Sequence, residues 1–260
     1  MLKKAIGLFL VFTLILGAVY AAGTGNDAAS ENSIDMKAAE LVAALGIIDD
    51  IQGENAVTTR AAFTETALRM KGYEKDMYGS GGKAYFRDVA ADAEYFSTLS
   101  FAADAGIIRG DENGFFYPTR EITLGEAVTI CINMMNIPYD TQKGIYEAVS
   151  VAKSRRMLTG IKADANAQLR YADYINLIYN VLLADCPEVS KINVKPDAYV
   201  EYNGKNTLLK SVFDIEKVKG VVQANDITGI NFITPTSEEY VIVDGKKYGC
   251  GYTNVSEMVG

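Results

Sequence analysis

Between residue 34 and about residue 185, apolar side chains recur every three to four positions in blocks that alternate with polar, glycine-containing stretches. That period places them on one face of an α-helix. One set of such blocks opens at Thr59-Arg-Ala-Ala-Phe63, Thr123-Leu-Gly-Glu-Ala127 and Leu169-Arg-Tyr-Ala-Asp173. Their apolar stripes are Phe63, Ala67 and Met70; Ala127, Val128, Cys131 and Met134 with Met135; and Leu177, Ile178, Val181 and Leu182. Each is preceded by a helix with Ala, Leu or Val on its apolar face, ending at Leu45-Gly46-Ile47-Ile48, Ala105-Gly106-Ile107-Ile108 or Arg155-Arg156-Met157-Leu158. Two of these three ends carry the glycine suited to a helix terminus. The spacing from first to second element is 13 residues in the first and third units and 17 in the second. The extra residues fall in Asp111-Glu-Asn-Gly-Phe-Phe-Tyr-Pro118, a turn whose aromatics can cover the end of the core. One helix pair cannot bury its own apolar face, so the pattern predicts three pairs packed on one another.

The pattern changes after Pro187. From Lys191 onward, β-branched and aromatic residues alternate with polar ones, which predicts strands at 198–202, 218–222 and 229–233. Asp244-Gly245 between Glu239-Tyr-Val-Ile-Val243 and Lys246-Lys-Tyr-Gly-Cys250 marks a hairpin. Thr207 to Asp214 reads as a short helix. The boundary between a helical and a β-rich part is expected at 187–191.

The N-terminus has its own pattern. Lys3 and Lys4, an apolar run from Ala5 to Leu16 and the small-residue segment Gly17 to Ala22 form a secretory signal peptide over residues 1–21, with Val19 and Ala21 at the small positions before the cut. A retained anchor is the alternative, but the run falls short of the roughly 20 residues needed to cross a bilayer. Residues 22–33 are small and polar and read as a flexible leader.

Composition narrows the function. Removing residues 1–21 leaves 23 basic against 33 acidic side chains and moves the formal charge from −8 to −10, which argues against nucleic acid as a partner. The chain has 3 cysteines and no histidine. Cys131, Cys186 and Cys250 are far apart and announce no disulfide framework, and Cys131 reads as a core thiol. Without histidine, and with carboxylates that single out no pair, catalysis is disfavoured; a carboxylate-dependent envelope hydrolase is kept only as a third class. No metal site or cofactor is expected. Asp111-Glu-Asn-Gly114 has oxygen ligands for calcium but no closing glutamate and reads as a turn, and Gly79-Ser-Gly-Gly82 reads as a linker rather than a phosphate cradle.

In Phe86-Arg-Asp88-Val89, Ala105-Gly-Ile-Ile-Arg-Gly110, Gly114-Phe-Phe-Tyr-Pro118 and Ile122-Thr-Leu-Gly-Glu126 the chain resembles the S-layer homology domain family. The first unit resembles it through Ala44-Leu-Gly-Ile-Ile48 and Thr59-Arg-Ala-Ala62, the third through little beyond Gly160, Arg170 and its helix periodicity. The resemblance implies a mainly α N-terminal domain, a pseudo-threefold bundle of helix-loop-helix repeats at 34–83, 84–139 and a degenerate 140–187, followed by a small β-rich domain at 191–260. It implies noncovalent anchoring of an exported protein to the bacterial cell wall, with peptidoglycan-linked, pyruvylated secondary cell-wall polysaccharide held in grooves between repeats. The alternative is an S-layer or surface-assembly subunit whose repeats pack against other surface-layer subunits.

A pyruvyl ketal presents a carboxylate, which an arginine at a helix start can grip while the free amides of the helix add a favourable dipole. On the family pattern Arg60 and Arg170 take that position. The second repeat has Leu124 there, leaving its groove silent or dependent on Arg120. The matching glutamate is present as Glu126 but replaced by Ala62 and Ala172, and Thr123 with Glu126 equally forms a capping box. Thr59 is a cap first and a ligand contact second. Gly46, Gly106 and Gly110 either leave room for the glycan or set helix termination and loop geometry.

Overall fold

The computed structural model describes residues 33–73, 81–192, 200–225, 227, 229, 233, 236 and 240–249. The expected signal peptide, the expected leader up to residue 32, Gly79 and Cys250 lie outside the described residues. No helix of the described residues is long and apolar enough to cross a membrane.

The helical part contains three consecutive pairs: α1 (Met36–Ala44) with α2 (Arg60–Met70), α3 (Phe96–Asp104) with α4 (Leu124–Met134), and α5 (Gly144–Ser154) with α6 (Tyr171–Leu183). The first helix of each pair ends in the same way. Ile47 N donates to Val42 O at 3.1 Å, Ile107 N to Ala102 O at 2.9 Å and Met157 N to Ala152 O at 3.0 Å, the backbone closure that needs a left-handed residue just before it. Gly46 and Gly106 supply that residue at φ 68° and 71°, and both have open space around the missing Cβ. Arg156 supplies it in the third pair at φ 62°, at a cost of about 1–2 kcal/mol that glycine avoids. Gly46 and Gly106 are thus accounted for by helix termination.

The second helices are joined to one another by their entry segments. Single β-bridges link Thr59 with Glu121, Thr123 with Gln168 and Arg170 with Val57, so each entry segment touches the next and the third returns to the first. The amides of the first helical residues follow the same cycle: Arg60 N donates to Arg120 O at 2.9 Å, Leu124 N to Ala167 O at 2.9 Å and Tyr171 N to Ala56 O at 2.8 Å. These contacts define equivalent positions. Thr59, Thr123 and Arg170 are the N-cap residues, and Arg60, Leu124 and Tyr171 are the first residues of their helices.

The core lies where the three pairs meet. Phe63, Leu68, Leu99, Ile122, Leu124, Ile132, Met157 and Ile178 are essentially solvent-free. Phe63 on α2 meets Tyr174 on α6 edge-on, with ring centres 5.9 Å apart, and the Tyr174 hydroxyl lies 2.9 Å from Thr66 Oγ1. Burial pushes the Tyr174 hydroxyl up to about 12. Cys131 is fully buried on α4, and burial raises its thiol as well, as its reading as a core residue requires.

Two small antiparallel sheets follow. β1 (Asp185–Ile192) pairs with β2 (Val200–Thr207), which runs into α7 (Leu208–Phe213). The sequence places the change of unit at 187–191, but the compact units divide between Phe213 and Asp214. The later division has a physical cause: α7 belongs to the helical unit, where Val212 fills the space beside Gly72, and Arg155 Nη1 donates to Asp185 O at 3.2 Å. The second unit holds β3 (Val222–Ala224), β4 (Tyr240–Val243) and β5 (Lys246–Gly249) in the order β3-β4-β5. Asp244 and Gly245 turn the expected hairpin with φ 46° and 79°. The strand expected at 218–222 begins only at Val222, because Val221 N is taken by the Asp244 side chain at 3.2 Å. The strand expected at 229–233 lies largely outside the described residues.

Candidate functional site

A cleft of about 380 Å³ runs beside α4. One wall is the loop 109–120, and its shape is set by two carboxylates. Asp88 accepts Phe116 N at 2.9 Å and Tyr117 N at 2.7 Å. Asp111 accepts Asn113 N, Phe115 N and the Tyr117 hydroxyl at 2.9, 2.8 and 2.8 Å. These bonds lower the Asp111 pKa from its ordinary value, the Phe115 amide contributing most. Together they fix Tyr117 at φ 59°, an uncommon conformation for a bulky residue. Asp111 is therefore spent on a turn, and among the described residues no cluster of acidic or cysteine side chains suited to a metal is present. Gly110 allows the loop to close: a Cβ there would lie 3.0 Å from Phe115 O and 3.1 Å from the Phe86 ring.

The floor is an arginine–glutamate frame. Arg60, the first residue of α2, crosses to the second helix pair. Its Nε donates to Phe116 O at 2.8 Å, its Nη1 lies 3.1 Å from Glu126 Oε1, and its guanidinium sits 4.5 Å from the centre of the Phe116 ring. The Arg60 side chain is 12% exposed. Glu126 also bonds Arg120, and it accepts Thr123 N at 3.1 Å while Thr123 Oγ1 accepts Glu126 N at 3.4 Å. The capping box is thus formed, and the same carboxylate ties two arginines. Thr59 caps α2 by accepting Ala62 N at 3.2 Å.

This frame sets a pH dependence. Burial opposes ionisation of Glu126, but the Thr123 amide, Arg120 and Arg60 outweigh it and depress its pKa. A depressed carboxylate contributes stability that is complete above its unfolded value of about 4.3 and is lost as pH falls through its lower folded value. Urea denaturation followed from pH 7 down to acid should show the chain losing stability below about pH 4.3, and Glu126→Gln losing less over that window.

Two expectations from the family pattern are corrected. The amides at the start of α2 are not free for a ligand: Arg60 N and Ala61 N are taken by Arg120 O and Pro118 O at 2.9 Å each, and Ala62 N by Thr59. Arg170 is not the counterpart of Arg60. It sits one position earlier, at the N-cap, where its Nη1 donates to Asn55 Oδ1 at 2.8 Å, and it is exposed and lines neither described cleft. The counterpart of Arg60 is Tyr171, and the counterpart of Glu126 is Asp173 rather than Ala172.

A second cleft, of about 390 Å³, runs beside α2 and is reached by Tyr171. Its electrostatics are opposite. Asp49, Asp50 and Glu65 line it with one cation, Arg69, which is paired to Asp49 at 2.8 Å and to Glu65 at 2.9 Å. In the α4 cleft Arg60, Arg109 and Arg120 stand against Glu126 and Asp111. The sharpest contrast is the residue after each Gly-Ile-Ile turn, Asp49 in one cleft and Arg109 in the other.

The S-layer homology domain model matches residues 85–128. That segment contributes Arg109, Asp111, Phe115, Tyr117, Arg120 and Glu126 to the α4 cleft. The chain is also similar to the S-layer protein sap of Bacillus anthracis and to an S-layer protein of Bacillus thuringiensis subsp. finitimus, each 30% identical over 79 residues. Each match takes in 30% of this chain but only 10% and 9% of the respective relative. These similarities support a secreted, cell-wall or cell-surface location. The S-layer homology domain is a structural, non-catalytic module, in keeping with a chain that has no histidine.

Sequence reasoning missed Arg109, Tyr117 and Tyr139 as cleft residues. Arg109 carried a readable signal, since it follows the best-conforming Gly-Ile-Ile turn. Tyr117 and Tyr139 carried none, because their placement depends on the path of loops.

Proposed function

We propose that this chain attaches an exported protein to the bacterial cell wall by binding an anionic, pyruvylated secondary cell-wall polysaccharide. On this reading, residues 1–21 are the export signal, and the three helix pairs are three S-layer-homology-like repeats closed into a pseudo-threefold bundle. The cycle of entry-segment bridges supports the bundle, and the matched segment gives the second repeat its family character. The carrying observation is the α4 cleft, a recess of saccharide size with three arginines against two carboxylates, walled largely by the matched residues. Binding there relies on Arg120, while Gly110 and the Arg60–Glu126 frame shape the wall; Arg170 and Thr59 do not take part.

The α2 cleft, whose arginine is neutralised by its own carboxylates, does not attract a carboxylate. Of the two described clefts, the α4 cleft alone is therefore expected to take an anion. The test is cosedimentation of the mature chain with purified wall sacculi before and after chemical removal of the pyruvyl groups. Binding that disappears with the ketal supports anchoring. Binding indifferent to the ketal, or absent, favours the second reading, a surface-assembly subunit that packs against other surface-layer subunits, to which the S-layer relatives also point.

A further inference from the structure

The α4 cleft holds two features that the arginine–glutamate frame does not use. Arg109 lines the cleft, is exposed, and makes no hydrogen bond or ion pair among the described residues. Among the described residues Arg120 has one carboxylate partner, Glu126, and it keeps 46% of its side chain exposed. Arg60, by contrast, has spent its guanidinium on Phe116 O, Glu126 and the Phe116 ring. A bound carboxylate can therefore reach the open donors of Arg109 and Arg120 without breaking a buried contact.

The second feature is Tyr117. The residue is 43% exposed, and its ring stacks on Phe115 with centres 5.9 Å apart and planes 19° from parallel. Its hydroxyl donates to Asp111 and its backbone N–H to Asp88. The Arg120 guanidinium lies 5.8 Å from the ring centre. A rigid, half-exposed ring beside cationic donors presents a flat apolar surface next to an anion site. Holding that ring at φ 59° costs backbone strain, which the two carboxylates offset.

Resting on the anchoring reading above, we infer that Arg109 and Arg120 together grip the ligand carboxylate while Tyr117 stacks on the adjoining sugar ring, and that Arg60 and Glu126 are positioning residues without ligand contact. In this arrangement Glu126 competes with the ligand for Arg120. Removing its charge strengthens ligand binding even as it leaves Arg60 short of a partner and weakens the fold.

The test uses the mature chain and a monosaccharide bearing a pyruvyl ketal, with its methyl ester as the uncharged control, titrated by calorimetry and proton NMR. Thermal unfolding checks each variant. Arg109→Gln and Arg120→Gln should each weaken binding roughly tenfold, the loss of a charge-assisted contact. Glu126→Gln should bind several-fold tighter, roughly as expected for relief of one competing ion pair, while melting at a lower temperature. Tyr117→Phe should keep the upfield ring-current shift of the sugar protons, and Tyr117→Ala should lose it. Weaker binding by Glu126→Gln would make Glu126 a ligand contact and overturn the competition. Unchanged binding by folded Arg109→Gln and Arg120→Gln, with the wild type still binding sacculi through the ketal, would overturn the inference and leave wall anchoring intact. Failure of the wild type to bind sacculi would overturn both.

Discussion

Asp88→Ala will destabilise the helical unit by about 3 kcal/mol, the sum of two hydrogen bonds to a charged acceptor reduced for partial rescue by water. The carboxylate is the only described acceptor of both Phe116 N and Tyr117 N. Without it, the left-handed conformation of Tyr117 loses the bonds that hold it, and the chain between Gly114 and Pro118 relaxes. The effect spreads because this loop carries Phe116, which is 1% exposed, stacks on Phe86 with centres 4.9 Å apart and underlies Arg60. Asp88→Asn should recover part of the loss, since one amide oxygen can still accept one of the two N–H groups. Urea midpoints of the three proteins at pH 7 check the order. Equal midpoints for the alanine variant and the wild type would show that the loop holds its shape without the carboxylate.

Much of the helical part was legible because its signals are local. Helix faces follow from spacing, Gly46 and Gly106 mark backbone that favours glycine, and Asp244-Gly245 forces a tight turn. The register of the third helix pair was misread by one residue for an equally local reason. Aligning Arg170 with Arg60 by residue type moved the cap to Leu169, although Leu169 is 1% exposed and belongs with Ile122, at 0%, as the buried residue before the cap. A buried aliphatic ahead of the helix was the better register mark, because its burial is fixed by the entry-segment contacts, whereas a surface arginine is free to appear at either position.

The cleft was less legible than the fold, since its charge depends on which helix pair faces which. Leu124 suggested that the second repeat lacks its arginine. In the ring, Arg60 of the first pair completes the cleft of α4 and Tyr171 of the third pair that of α2. The sequence reading also treated helix-start amides as free, which holds for an isolated helix but not where a neighbouring entry segment supplies carbonyls. The change to strands expected at 187–191 falls beside the start of β1, but a change of local pattern does not mark a change of unit: β1, β2 and α7 stay with the helical unit, which ends at Phe213.

Phe63→Ala tests whether this ring exists as a cooperative body. Phe63 is 0% exposed, and it belongs to the first helix pair yet meets Tyr174 of the third across a 5.9 Å edge-on contact. Truncation removes a buried ring and leaves a cavity, which should cost about 3–5 kcal/mol. Tyr174 loses one aromatic partner but stays held by the Tyr171 ring and by its hydroxyl contact with Thr66, so it has little reason to collapse into the space and the cost should fall toward the upper part of that range. If the pairs close on one another, a defect at this joint lowers the stability of all three together, and unfolding followed by tyrosine fluorescence and by far-ultraviolet circular dichroism should shift as a single transition. Helix pairs that merely follow one another along the chain would behave otherwise. The first and third pairs would melt separately in the variant, and the two probes would diverge.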